Sequence, residues 1–171
     1  MLFGKDCKIR KCNSNKYGKT YNTGINCSPI ARILFLCGVP SGQKVLSKFS
    51  IPKWIFLEKK YFKRFCTRLF SCEGSIIKEE GRRPRIRLEM WKAENLVKDG
   101  LNFMEDISAG LKKYFNIESS IHLRNLKNTR KDGIITKPIR LTILTNSVMA
   151  FYKKIGFEGD KQKSLKALIR R

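Results

Sequence analysis

Between Arg83 and Met90 the chain alternates without a break: Ile86, Leu88 and Met90 fall on one parity, Arg83, Arg85 and Arg87 on the other. Successive side chains of a strand point to opposite faces, so this segment is apolar on one side and triply cationic on the other. A strand of that kind packs on helices behind and offers charge in front, as in an antiparallel sheet covered on one face. The pattern recurs later in the chain. Ile121 and Leu123 alternate with His122 and Arg124, and Ile139, Leu141 and Ile143 alternate with Arg140 and Thr142.

Around these strands the periodicity is helical. A helix is predicted over 56–72, before Gly74 opens paired strands at 75–79 and 84–90. Residues 94–116 form a longer helix with Leu96, Leu101, Met104, Ile107, Leu111 and Phe115 on one stripe. Strands at 119–127 and 136–145 flank Asp132-Gly133, a hairpin signal. Asn146 is expected to cap a helix through Val148, Met149, Tyr152 and Ile155 that Gly156 stops, and 161–169 forms a last short helix. Ahead of all this, 7–27 reads as a hairpin. Ser28-Pro29 then starts a helix with Ile30, Ile33, Leu34 and Cys37 at helical spacing, ended by Gly38. The expectation is an α+β chain: a ββα piece with its connector over 1–50, and an αββαββα domain over 51–171.

Composition indicates what such a surface is for. Of 171 residues, 37 are Lys or Arg and 14 are Asp or Glu, a net charge of +23, while a hydrophobic share of 42% is too high for disorder. So basic a chain calls for a polyanionic partner, nucleic acid first. Arg83, Arg85, Arg87, His122, Arg124 and Arg140 are the candidates to face it. Lys59, Lys60, Lys63 and the terminal Arg170 and Arg171 meet phosphates or only solvent. No apolar run approaches the roughly eighteen residues of a membrane span. The best stretch, 31–39, is interrupted by Arg32, and the basic N-terminus leads into no secretory signal, so a cytoplasmic protein is expected. The six cysteines contain no C-x-x-C pair. They are expected to be reduced structural thiols, with Cys37, Cys66 and Cys72 buried, rather than a zinc site built on Cys7, Cys12 and Cys27.

The segment Phe65-Cys66-Thr67-Arg68-Leu69-Phe70-Ser71-Cys72-Glu73-Gly74-Ser75-Ile76 resembles the signature of the LAGLIDADG homing endonucleases, a helix ending in an acidic residue and Gly before the first strand. Ile51-Pro52-Lys53-Trp54-Ile55 is similar to that family's lead-in. Phe151-Tyr152-Lys153-Lys154-Ile155-Gly156-Phe157 and Lys161-Gln162-Lys163-Ser164-Leu165 are similar to its close. Residues 28–44 resemble the end of a first repeat, which makes the chain a tail followed by one full repeat. The resemblance implies a curved antiparallel sheet lying on double-stranded DNA, or on RNA. It also implies site-specific, metal-dependent phosphodiester hydrolysis of the homing type, linked to intron or intein mobility. Glu73 and the Cys72 carbonyl would hold Mg2+, and Lys161 would assist catalysis. Family members pair two signature helices, so the resemblance further implies a homodimer through helix 56–72, with Phe65 and Leu69 in the seam, or an unidentified partner subunit. Arg68 stands where the family usually has a small residue and Ser71 where it has an acid. The alternative is a catalytically inactive DNA- or RNA-binding remnant, a maturase-like splicing helper.

Overall fold

The structure is a computed structural model that describes residues 8–11, 21–24, 27–78 and 83–169. It divides into two compact units, 1–39 and 40–171. In the first, β1 (Lys8–Lys11) and β2 (Tyr21–Gly24) pair antiparallel, with Lys8 opposite Gly24 and Lys11 opposite Tyr21. Helix α1 (Ser28–Leu36) follows, with Pro29 in its first turn as expected. The apolar stripe read from its sequence is not a buried one: Ile30 is buried, whereas Ile33 and Cys37 are exposed. Cys7, Cys12 and the tip of the expected hairpin lie outside the described residues, as do 79–82, where the two paired strands are expected to be joined, and Arg170 and Arg171.

The second unit takes in the connector assigned above to the N-terminal piece. Its elements are α2 (Lys59–Glu73), β3 (Gly74–Ile77), β4 (Arg85–Ala93), α3 (Val97–Phe115), β5 (Ser119–Leu123), β6 (Asn128–Thr129), β7 (Ile135–Ile143), α4 (Val148–Lys154) and α5 (Asp160–Ile169). The strands form one curved antiparallel sheet in the order β3-β4-β7-β5, with β6 also paired to β7. Predicted and observed elements agree in kind and order. The differences are local: the 119–127 strand stops at Leu123, and the Asp132-Gly133 turn closes a hairpin between the short β6 and β7, with Gly133 at φ 80°. Asn146 does not cap α4. Its amide donates to Glu118 Oε2 (3.3 Å), and with Lys112 it holds the Glu118 carboxyl below the usual carboxylate range, the Lys112 hydrogen bond being the larger cause.

The helices cover one face of the sheet. Ile86 and Leu88 of β4 and Ile139, Leu141 and Ile143 of β7 meet Phe62, Cys66 and Phe70 of α2 and Met104, Ile107, Leu111 and Phe115 of α3 in a single core. Each of these large side chains contributes about 1.5–3 kcal/mol by leaving water. The tightest point is between α2 and α3. The Phe62 ring lies against the bare Cα of Gly110, where an added Cβ would stand 2.2 Å from Phe62 Cζ. Phe62 also stacks with Phe56 (ring centroids 5.3 Å apart) and meets Tyr114 (5.4 Å). A second anchor is polar. Lys92 is fully buried, and its ammonium donates to the carbonyls of Lys44 (3.0 Å) and Ser47 (2.6 Å) and pairs with Asp99 (3.1 Å) over the Phe49 ring. It thereby ties the connector to β4.

Two of the expected buried thiols are not buried. Cys37 and Cys72 are exposed and only Cys66 is enclosed, where burial pushes its thiol well above the usual range. Native-state alkylation read by peptide mass spectrometry should therefore label Cys37 and Cys72 and leave Cys66 unlabelled until the chain is unfolded; rapid labelling of Cys66 would contradict this packing. Gly110→Ala should lower stability by about 1–3 kcal/mol through overpacking, seen as a Tm lowered by several degrees in thermal unfolding. An unchanged Tm would mean that Phe62 does not occupy this seat.

Candidate nucleic-acid interface

With helices on one side, the half-exposed residues that alternate with the core on the central strands, Arg85, Arg87 and Glu89 of β4 and Arg140 and Thr142 of β7, face outward. The register then sets which of those side chains are neighbours. Arg87 of β4 lies opposite Thr142 of β7, Glu89 opposite Arg140, and across β7 Ser120 and His122 of β5 lie opposite Thr142 and Arg140. Arg85, Arg87, His122, Arg124 and Arg140, with Ser120 and Thr142, line one open cavity of about 470 Å³. Five of the six cationic or titratable candidates taken from the alternation therefore converge. Arg83, the sixth, precedes β4 and does not line the cavity.

One functional side chain in this face escaped the sequence reading. Glu89 continues the odd parity of the arginine row and places a carboxylate among the cations. Arg140 donates to Glu89 Oε2 through both Nε (2.9 Å) and Nη2 (2.6 Å), and an Arg124 nitrogen stands 3.8 Å from the same oxygen. The side chains of Glu89 and Arg140 are 30% and 22% exposed, so the pair is half-buried and held by charge-assisted bonds rather than lying loose on the surface. The signal that would have found it is the same alternation, carried two residues further than the arginines.

The second candidate cluster lies at the C-terminal end of α2. There the chain passes from helix to strand at Gly74, where a Cβ would stand 2.4 Å from the Phe70 carbonyl oxygen, so the step needs glycine. Lys161 reaches this point as expected, but its ammonium donates to the carbonyls of Ser71 (2.7 Å) and Gly74 (2.8 Å), which makes it a cap for the helix end. Glu73 is exposed and pairs with Lys44 at 3.3 Å. Cys72 is exposed beside it. A hard divalent cation takes several oxygen donors, usually including more than one carboxylate in a site of this kind. Here one carboxylate shares the cluster with two ammonium groups, and among the described residues no three His, Cys, Asp or Glu side chains stand together. The donor set of Glu73 and Cys72 does not fit Mg2+, and no chemical step is assigned to it.

One flank of α2 is bonded to the chain's own C-terminal elements, and nothing in the structure supports a homodimer through this helix. Thr67 Oγ1 donates to the Ile155 carbonyl (2.9 Å), the Glu158 amide donates to Ser71 Oγ (2.8 Å), and Arg68 pairs with Glu158. Phe65 and Leu69 pack against the chain's own core rather than forming an open apolar seam. The exposed residues of α2 are Lys59, Lys60, Tyr61, Lys63, Arg64, Arg68, Cys72 and Glu73, a mostly cationic surface. Among the described residues no helix is long and apolar enough to cross a membrane.

No family model matches the chain, and no solved structure matches it. Among curated proteins it is similar to the tRNA-splicing ligase RtcB of Pyrococcus abyssi, 30% identical over 166 residues that make up 94% of this chain and 17% of that protein. The tRNA-splicing ligase RtcB of Pyrococcus furiosus is 32% identical over 170 residues, 96% of this chain and 17% of that protein. The Replication factor C small subunit of Methanocaldococcus jannaschii is 33% identical over 143 residues, 80% of this chain and 7% of that protein. The chain thus spans 17% or less of the length of these relatives. These two relatives named as tRNA-splicing ligases, with a third of that name from Methanopyrus kandleri that is 31% identical over 134 residues, 77% of this chain and 13% of that protein, overturn the expectation of a homing endonuclease. Site-specific DNA cleavage, intron or intein mobility and the splicing-helper remnant of such an enzyme are withdrawn with it.

Proposed function

We propose that this chain is a nucleic-acid-binding module that lays the open face of its sheet against a phosphodiester backbone. The observation that carries this reading is the convergence of Arg85, Arg87, His122, Arg124 and Arg140 in one cavity of a chain with net charge +23. Arginines held at fixed positions on one sheet face, Arg140 by its half-buried pair with Glu89, suit a ligand that brings several negative charges at fixed spacing. The order of α2, β3, β4, α3, β5, β7 and α4 supports a scaffold similar to the LAGLIDADG repeat, used here for binding. The same stretch aligns with relatives that carry two different names and makes up a small share of each. We therefore assign this segment binding and not the activity of any whole relative. The names of the ligase relatives make a folded tRNA the first probe and a DNA duplex of similar charge the second.

The test is fluorescence anisotropy with both probes across a salt series. Arg85→Glu with Arg124→Glu should lower affinity about a hundredfold, and should reduce the slope of log affinity against log salt by about two, one for each phosphate that is no longer neutralised. Lys60→Glu with Lys63→Glu, the same charge change on the outer face of α2, should cost far less. Equal losses from the two double variants would mean that charge in bulk, and not the sheet face, holds the nucleic acid.

A further inference from the structure

A binding face made only of cations would grip any phosphate backbone, yet one arginine of this face, Arg140, is bonded to a carboxylate. Glu89 lies on β4, directly opposite Arg140 of β7, and Arg140 in turn lies opposite His122 of β5. The carboxylate sits between neighbouring strands and is bound at 2.9 and 2.6 Å through Nε and Nη2 of the guanidinium. Both bonds use the side edge of the fork. A guanidinium has five N–H groups, so the end edge, with one N–H on each terminal nitrogen, stays available to a second planar acceptor. The second effect is electrostatic. The Glu89 charge offsets that of Arg140, and with it part of the nonspecific attraction to phosphate at this point.

We infer that Glu89 is a positioning residue that converts Arg140 from a phosphate clamp into a reader of base edges. The acceptor that matches the end edge of a fixed guanidinium is the O6/N7 pair of guanine, the commonest specific contact of arginine with a base. The neighbours fit a reading site. Thr142 and Ser120 are short hydroxyl side chains beside Arg140 that leave room for a base edge, while Arg85, Arg87 and Arg124 around them supply phosphate contact. Guanine presents the same edge in an unpaired RNA loop and in the major groove of duplex DNA, so the chemistry is shared and the source is for experiment to assign. This inference rests on the binding function proposed above.

The test is selection with the full chain from two libraries, RNA hairpins with randomised loops and DNA duplexes with a randomised centre, followed by sequencing of the retained pool. The wild-type chain is expected to enrich guanine at one or more positions in one library, and that library identifies the source. Glu89→Gln keeps the shape and removes the charge, so it should retain more total nucleic acid while guanine enrichment falls about tenfold. Arg140→Lys keeps the charge but loses the fork, and should lose the same enrichment. Thermal unfolding of each variant separates this from loss of fold. Guanine enrichment that survives Glu89→Gln, or a retained wild-type pool with no base preference, would overturn the role of Glu89 while leaving binding intact. Retention of neither library would overturn the binding function and the role of Glu89 with it.

Discussion

The seat of Phe62 on Gly110 is the contact on which the rest of this structure depends. Only a residue without Cβ at 110 lets α3 come close enough to α2 for one phenyl ring to fill the space between them. That closeness makes a continuous helical layer broad enough to cover one face of the sheet. The core formed there is dense in rings and branched side chains: Phe62 meets Phe56, Phe65, Tyr114 and Phe115, while Phe70 meets Phe151. Interiors are packed close to crystal density, so a gap or a clash at this point would propagate to both helices.

Once one face is covered, strand alternation leaves the other no choice. On β4 and β7 Arg85, Arg87, Arg140 and Thr142 each lie between two buried residues and are turned outward, and Glu89, next along β4 on the same parity, is half-exposed as well. The core therefore positions the candidate interface without any of the interface residues entering it. Antiparallel pairing then places side chains from β4, β7 and β5 side by side, although they are far apart in sequence. The backbone fixes these neighbours, and the Glu89–Arg140 pair restrains the central one further.

Most of this was legible in the sequence because period and burial agree. The alternation at 83–90 and 139–143 read correctly, as did the stripe from Met104 to Phe115. In those segments a single physical cause, one apolar face against one core, sets the pattern. The readings that failed are those that needed the third dimension. Cys37 and Cys72 have apolar neighbours in sequence, yet Cys37, just past the end of α1, and Cys72, in the last turn of α2, are both exposed. Lys161 was placed correctly beside the end of α2, but nothing in its local sequence shows that two backbone carbonyls occupy its ammonium. Glu73 was a helix-terminal acid in the expected place. Its implied chemistry needs a second carboxylate, and among the described residues its ion-pair partner is Lys44.

Net charge bears on stability as well as on recognition. A chain with an excess of 23 positive charges repels itself when compact, and its ion pairs relieve this unevenly. Pairs such as Lys44–Glu73 and Lys163–Asp160 are largely solvated and contribute little. The buried Lys92–Asp99 pair and the half-buried Glu89–Arg140 pair are held by several bonds each. The arginines that surround Glu89 are concentrated by the fold on one face, so their repulsion is a cost that the folded state bears more than the unfolded chain. A polyanion on that face removes the repulsion only where the sheet has formed. Its binding and the folding of 40–171 must therefore reinforce each other, since whatever binds the native state alone stabilises it.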